Sequence, residues 1–155
     1  MENMSKDKIL KSIIKTLETI IEKSNNNKII NIYTSHYVPN IKIGDYFLRI
    51  YRYTNCSIEC YILGLVYIDR LLTKNPDIIF NNFTAHRILF SCTILAIKYL
   101  EDYYYSNSHY AKIGGLTLSE INKLEINTLK LLNFNAFVST EEYQIYNLTL
   151  NKIMN

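Results

Sequence analysis

The chain has 155 residues, of which 48% are hydrophobic and 20% are charged, and its net charge is +3. This length suits one domain with a single core. The mild charge and the scattered lysines do not favour a surface for nucleic acid or for membranes, because such surfaces need clustered basic residues. The chain has only four glycines and two prolines, and apolar residues recur at spacings of three and four. The sequence therefore predicts an all-α fold.

The cysteines and histidines indicate no metal site and no cofactor. Cys56, Cys60 and Cys92 lack the C-x-x-C spacing of zinc sites, and the three histidines are scattered along the chain. The odd number of cysteines, in a chain without a secretory leader, predicts buried and inert thiols that stay reduced in an intracellular protein.

The sequence shows no pattern of catalytic residues. No nucleophile stands with a general base, and Gly114-Gly115 indicates the end of a helix rather than a phosphate loop. The uncharged run of residues 88–97 is far shorter than the roughly 20 apolar residues that a bilayer crossing needs. We therefore expect neither an enzyme nor a membrane span, and residues 88–97 indicate a core helix.

Residues 1–28 predict an amphipathic helix followed by a polar linker. Apolar residues share one face of this helix, and lysines and glutamates occupy the other. The apolar face must dock on another surface, and self-association through this helix in the absence of a partner is an outcome that we keep open. The apolar positions are Ile9, Leu10, Ile13, Ile14, Leu17, Ile20 and Ile21.

Two apolar helices are expected at the centre of the fold. A second helix is predicted over residues 43–54, and Ser57 can cap a third helix that is apolar on nearly every side. Asn75-Pro76-Asp77 ends this third helix. Thr84 caps a fourth helix that runs to about Tyr103 and is equally apolar in its middle. Helices with this pattern are typical of a core that other helices surround.

Capping signals mark the beginnings and ends of the later helices. A short helix over residues 107–113 stops at Gly114-Gly115, where a left-handed residue is expected. Thr117 and Glu120 then form a capping box, which opens a helix that runs to about Leu132.

Ser139 and Glu142 repeat the capping box and open a last helix. The pattern thus predicts six substantial helices. We divide the chain into an N-terminal helix and linker (1–28), a central helical unit (29–137) and a C-terminal helix (138–155), all within one compact domain. The inner face of the last helix carries Tyr143, Tyr146, Leu150 and Ile153.

Lys98 and Glu125 are charged residues among apolar neighbours. Lys98 closes the run of residues 88–97, and Glu125 lies four residues after Ile121 and four before Leu129 on one helical stripe. A buried charge without a counter-charge costs several kcal/mol, so something must neutralise each one. The residues alone leave two alternatives open. The two side chains pair with each other or with another helix, or they reach outward to a partner protein.

Asp69 raises a similar question in the middle of the third helix. It lies on the apolar face of that helix, and Arg49 on the preceding helix is the natural counter-ion if the two helices are adjacent and antiparallel. We therefore predict a structural, buried ion pair between Arg49 and Asp69.

Six short motifs together resemble a known family, the cyclins. Their order and spacing are those of a cyclin box over about residues 30–137, and they are most similar to the P-type cyclins, the group of the phosphate-pathway cyclin of yeast. The motifs are Tyr46-Phe-Leu-Arg-Ile50, Tyr67-Ile-Asp-Arg70, Ala85-His-Arg87, Ala96-Ile-Lys-Tyr99, Tyr110-Ala-Lys-Ile-Gly-Gly115 and Leu124-Glu125.

The resemblance implies the all-α cyclin-box fold, a five-helix bundle around a central helix with extra N-terminal and C-terminal helices. It implies a regulatory subunit that binds and activates a cyclin-dependent serine/threonine kinase by holding the mobile regulatory helix of the kinase in the active position. The paired lysine and glutamate of the family match Lys98 and Glu125. The buried arginine and aspartate of the family fall on Arg49 and Asp69. The apolar kinase-binding positions match Leu95, Tyr99, Ile126, Leu129 and Phe134.

Other expectations also follow from the resemblance. Only about twenty residues follow Phe134, so we expect a single cyclin box. Residues 46–53 do not reproduce the substrate-docking sequence of cell-cycle cyclins, which leaves contacts with kinase substrates or inhibitors unassigned. The expected compartment is the nucleus, the cytoplasm or both. The alternative is a cyclin-fold adaptor or transcription-factor-like module that binds proteins without a kinase.

Overall fold

Seven α-helices and their connecting loops make up the described part of this computed structural model, which covers the backbone of residues 2–154 and the side chains of residues 6–154. No β-strand occurs within residues 2–154, and the all-α prediction is confirmed. The helices are α1 (Glu2–Lys23), α2 (Ile43–Thr54), α3 (Ile58–Lys74), α4 (Ala85–Leu100), α5 (Asn107–Gly114), α6 (Leu118–Leu131) and α7 (Thr140–Ile153).

Helices α3 and α4 form the centre of the fold, as their apolar composition predicted. They pack against each other along their lengths, and α2 and α6 cover further sides of α4. The two helices approach closely at Gly64, where an added Cβ would lie 3.4 Å from Thr93 Oγ1. Every residue from 88 to 97 is buried. The core is therefore built around α4, and the first residue of this helix to regain contact with solvent after that run is Lys98.

Helix α1 docks on the rest of the chain through its apolar face. Ile13 and Leu17 are fully buried, and the helix packs against α2 and α7. The expected docking of this face is thus intramolecular. The buried part of the apolar stripe is therefore not free to bind a second copy.

The capping box at the start of α6 is confirmed. Thr117 Oγ1 accepts a hydrogen bond from the Glu120 backbone N–H at 3.1 Å, and Glu120 Oε2 accepts one from the Thr117 N–H at 2.8 Å. The second box is only half formed. Ser139 Oγ accepts from the Glu142 N–H at 3.1 Å, but the Glu142 carboxylate binds Arg70 at 2.7 Å instead. A long-range ion pair therefore replaces the local bond.

The two other predicted caps place the helix starts correctly but not the capping bonds. Thr84 Oγ1 accepts from the Asn81 N–H at 3.0 Å, within the turn that precedes α4. The Ser57 hydroxyl donates to Glu101 Oε1 at 2.6 Å, and the Ser57 N–H donates to the same oxygen at 3.0 Å. Glu101 follows the last residue of α4 with extended backbone angles. Helix α4 thus ends at Leu100, before the predicted Tyr103, where Glu101 turns towards the start of α3.

The predicted ion pair between Arg49 and Asp69 is wrong. Both residues are exposed. Arg49 Nε donates to the Ile113 carbonyl at 2.8 Å, at the end of α5 where helix carbonyls lack intrahelical partners. Asp69 instead accepts a hydrogen bond from the Tyr146 hydroxyl on α7. The prediction assumed that α2 lies beside α3, whereas α2 packs mainly against α1, α4 and α5.

The connecting segment before α2 is anchored to α6. Tyr33 is fully buried, and its hydroxyl lies 2.6 Å from Thr128 Oγ1.

No helix within the described residues combines the length and the apolar character that a bilayer crossing requires. The prediction of buried thiols is confirmed for Cys60 and Cys92 but is wrong for Cys56, which is only half-buried.

His86, in the first turn of α4, is buried at 8% exposure. Its Nε2 lies 2.7 Å from the Ile41 carbonyl, which can only accept, so Nε2 carries the proton. The buried Nδ1 has no hydrogen-bond partner among the described residues, and the ring packs on Tyr46 at 4.9 Å. Burial lowers the pKa of His86, although the bond to Ile41 partly opposes this effect. Protonation in the folded state would place a charge in an apolar setting.

We expect this histidine to make the protein less stable in mild acid. Because the pKa of His86 is lower in the folded state, the unfolded chain binds more protons as the pH falls below about 6.5, and the free energy of unfolding decreases. Denaturant unfolding between about pH 7.5 and pH 5.5 measures this slope, and His86→Gln should flatten it. An unchanged slope in the variant would show that His86 does not cause the dependence.

Candidate functional site

Lys98 and Glu125 form a tight ion pair at the surface of the bundle. Lys98 lies in the last turn of α4, and Glu125 lies in the middle of α6. Lys98 Nζ is 2.9 Å from Glu125 Oε1 and 2.8 Å from Oε2. The two side chains keep 22% and 21% of their surface exposed. The pair is therefore neither deep in the core nor fully solvated.

Asn107 completes this charged cluster. Its Oδ1 accepts a hydrogen bond from Lys98 Nζ at 2.6 Å, and its Nδ2 donates to Glu125 Oε2 at 2.9 Å. The residue is the first of α5, directly after the N-cap Ser106, and this position brings its amide between α4 and α6. Asn107 was not predicted from the sequence, because an amide at the start of a short helix carries no periodic signal.

The sequence left open whether Lys98 and Glu125 pair with each other or reach outward to a partner protein, and the structure shows that they pair. Each charge has a counter-charge on a neighbouring helix, so burial of the pair is compensated. The pairing leaves the carboxylate with unused capacity to accept hydrogen bonds. Among the described residues, Glu125 Oε1 accepts a hydrogen bond from Lys98 and from no other group, and a carboxylate oxygen can accept a second one. The pair can therefore satisfy itself and still bind a backbone N–H group of another protein.

The ion pair lines an open groove with a volume of about 210 Å³. Three of the apolar residues expected at the binding surface, Leu95, Tyr99 and Leu129, line the same groove. Leu95 is buried at 6% exposure, whereas Tyr99 is 48% exposed, so the groove has an apolar floor and an accessible aromatic wall. The full lining consists of Tyr67, Leu95, Lys98, Tyr99, Glu125, Leu129, Leu132, Asn135 and Ala136.

Ile126 and Phe134 lie outside this lining and expose their apolar side chains, at 44% and 63% respectively. Phe134 has a left-handed backbone with φ of 57° directly after Asn133 with φ of 54°. A left-handed conformation is unusual for a bulky residue and costs about 1–3 kcal/mol. The turn is fixed by hydrogen bonds from the Phe134 N–H to the Leu129 carbonyl at 2.8 Å and from the Asn133 N–H to the Lys130 carbonyl at 2.9 Å.

The α4–α6 face is our name for the seven predicted binding residues, all of which lie on α4, on α6 or in the turn after α6. These residues provide a charged pair, part of the lining of a groove, and exposed apolar groups. The face holds no set of three His, Cys, Asp or Glu residues that could bind a metal, nor does the rest of the described chain. Its members are Leu95, Lys98, Tyr99, Glu125, Ile126, Leu129 and Phe134.

Comparison with known proteins agrees with the family that the sequence motifs indicated. The family model described as Cyclin matches residues 6–136. The chain is 41% identical over 116 residues to Cyclin-U1-1 of Arabidopsis thaliana, a match that covers 75% of this chain and 55% of that protein. It is 36% identical over 108 residues to Cyclin-P4-1 of Oryza sativa subsp. japonica, with 70% and 51% covered.

A longer alignment joins the chain to Cyclin-P3-1 of Oryza sativa subsp. japonica. The two are 31% identical over 157 residues, which cover 97% of this chain and 66% of that protein. The chain spans about half the length of most of the curated relatives that it matches. The similarity to P-type proteins agrees with the motifs that first indicated this group.

We expect Lys98→Met to cost more stability than a matched substitution elsewhere. Loss of the ammonium group leaves Glu125 partly buried without a counter-charge, and we expect the free energy of unfolding to fall by about 1–2 kcal/mol. The control is Arg87→Met, which removes a more exposed ion pair between Arg87 and Glu120 (3.3 Å) and should cost less than about 1 kcal/mol. Denaturant melts that rank the two variants in the opposite order would contradict the geometry described.

Proposed function

Because the chain belongs to the cyclin family, we propose that it is a regulatory subunit that binds and activates a cyclin-dependent serine/threonine kinase. The kinase contacts the α4–α6 face, and the chain itself performs no chemistry. The observation that carries the proposal is the Lys98–Glu125 pair, which lies at the surface of an open apolar groove with hydrogen-bonding capacity to spare.

The charged pair and the apolar residues have different roles in this proposal. Lys98 and Glu125 can donate to and accept from the backbone of a helix or loop, and such contacts fix the orientation of a partner. Tyr99 and Phe134 are exposed aromatic groups, and buried aromatic anchors supply most of the affinity in many interfaces. In this proposal the Lys98–Glu125 pair provides specificity, and the exposed aromatic residues Tyr99 and Phe134 provide most of the binding free energy.

The strained turn at Phe134 supports a binding role for this side chain. A bulky residue with positive φ costs free energy in the isolated protein. The turn leaves 63% of the Phe134 surface exposed rather than placing the ring in the core. A partner that binds at the groove, which the neighbouring Asn135 lines, could bury this ring.

Activation follows from a shift in the conformations of the kinase. A kinase is active when its strand lysine pairs with the glutamate of its mobile helix, and a partner that binds this arrangement more tightly increases its population. A shift from 1:99 to 99:1 requires a difference in binding free energy of about 5.5 kcal/mol. Apolar contacts in the groove, together with charge-assisted hydrogen bonds, can provide a difference in binding free energy of this size.

We expect charge changes in the pair to abolish kinase binding while the fold is kept. Glu125→Ala removes an acceptor from the interface and leaves Lys98 uncompensated there, so the binding free energy should fall by about 2–5 kcal/mol. Lys98→Glu places two carboxylates together and should have at least this effect. Affinities for a panel of purified cyclin-dependent kinases, measured by calorimetry alongside each kinase's activity, test the proposal.

The matched control is Arg87→Glu, which reverses a charge in the ion pair with Glu120, outside the α4–α6 face. We expect this variant to bind and activate a kinase as the wild type does. The proposal is wrong if no kinase in the panel binds the wild type, or if Glu125→Ala and Lys98→Glu, both folded by circular dichroism, bind with unchanged affinity.

A further inference from the structure

The side-chain amide of Asn107 bonds to both members of the ion pair and to one further residue. Its Oδ1 accepts from Lys98 Nζ at 2.6 Å, and its Nδ2 donates to Glu125 Oε2 at 2.9 Å and to Asn122 Oδ1 at 2.8 Å. A lysine ammonium group can only donate hydrogen bonds, and an ionised carboxylate can only accept them. The orientation of the amide is therefore determined, with its oxygen towards the cation and its nitrogen towards the anion.

Helix α5 does not use this side chain for its own structure. Asn107 is the first residue of the helix, and the N-cap position before it is already filled by Ser106. The Ser106 hydroxyl accepts from the backbone N–H of His109 at 3.3 Å. The bonds of the Asn107 amide instead reach α4 and α6. The side chain thus serves the charged cluster rather than the helix that carries it.

The amide restricts the side chains of both charged residues. A lysine side chain has many rotamers and loses much conformational entropy when it is held in one of them. The Lys98 ammonium group is held by acceptors from two helices, and the Tyr104 ring centroid lies 5.6 Å from Nζ. Glu125 Oε2 accepts from Lys98 and from Asn107. These bonds fix the carboxylate while its other oxygen keeps its capacity for a further hydrogen bond.

We propose that Asn107 is a positioning residue of the α4–α6 face, which fixes the side chains of Lys98 and Glu125 before a partner binds. This role rests on the proposed function, and it adds a residue of α5 to a site that the sequence placed on α4 and α6 alone. A partner that meets a fixed pair does not have to order two flexible side chains during binding, and the affinity is higher by that difference.

An amide suits position 107 for a chemical reason. It carries an acceptor and two donors on one short planar group, and the cluster uses all of these functions. An aspartate at this position would accept from Lys98 but would have no hydrogen to donate, and its charge would repel Glu125. An apolar residue would bond to neither. The neutral amide therefore orients a cation and an anion together without disturbing the balance of charge between them.

Two variants test the contribution of the amide to binding. Asn107→Ala removes all of its bonds, and Asn107→Asp keeps its shape and the acceptor for Lys98 but repels Glu125. An acidic residue is favourable in the first turn of a helix, so α5 should stay folded in Asn107→Asp. We expect each variant to bind a cyclin-dependent kinase at least about tenfold more weakly than the wild type in calorimetry, the change expected when a hydrogen bond to a charged group is lost.

The matched control is Asn151→Ala. The side-chain amide of Asn151 donates to the Asn147 carbonyl at 2.8 Å within α7, outside the α4–α6 face. We expect this variant to bind the kinase with the affinity of the wild type, and circular dichroism checks that all variants are folded.

Nuclear magnetic resonance of the free protein tests positioning without a kinase. The ammonium protons of Lys98 should exchange with water slowly in the wild type and several-fold faster in Asn107→Ala, because Nζ loses an acceptor. Unchanged exchange in Asn107→Ala would overturn the proposal, since Lys98 would then be fixed by Glu125 alone. Faster exchange with unchanged kinase affinity would also overturn it. A wild type that binds no kinase would overturn the proposed function, and the exchange measurement alone would then decide whether Asn107 fixes the pair.

Discussion

The structure depends most on the burial of α4. All ten residues from 88 to 97 are buried, so neighbouring helices must cover most of this segment. Helix α3 packs closely against it at Gly64, where an added Cβ would lie 3.4 Å from Thr93 Oγ1. A helix so enclosed can carry a charge only near its end, and Lys98 occupies the first partly exposed position after the buried run. The location of the candidate site thus follows from the way in which the core is covered.

The last turn of α4 is held from two directions. On one side, Lys98 binds Glu125 of α6 and Asn107 of α5. On the other, Glu101 accepts hydrogen bonds from Ser57 at the start of α3. These contacts join four helices at one end of the bundle and keep the groove open beside them.

The correct predictions from the sequence rest on local or periodic signals. The helix order, the capping box at Thr117 and the two apolar central helices were predicted because each is encoded within a few turns. The sequence also indicated that Lys98 and Glu125 each need a counter-charge, since a charged residue in an apolar stripe is costly without one. Family motifs then indicated the class of protein to which that pattern belongs.

The largest errors concern contacts between residues far apart in the chain. Arg49 and Asp69 were paired because helices consecutive in sequence were taken as neighbours, whereas Arg49 caps the end of α5 and Asp69 meets Tyr146. Glu142 binds Arg70 instead of closing its own capping box. The role of Asn107 was not predicted, because a side-chain amide at the start of a helix belongs to no periodic sequence pattern. These partners depend on how the helices pack against each other, and the spacing of residues along one helix does not predict that packing.

The most direct test of the role of the ion pair is the doubly swapped variant Lys98→Glu/Glu125→Lys. The exchange keeps opposite charges within reach of each other, so the account predicts a free energy of unfolding within about 1 kcal/mol of the wild type. It reverses the charges that a partner meets, so kinase affinity measured by calorimetry should be lost as completely as in Lys98→Glu alone. Recovery of wild-type affinity in the double variant would contradict the account, since it would show that the pair serves only the fold.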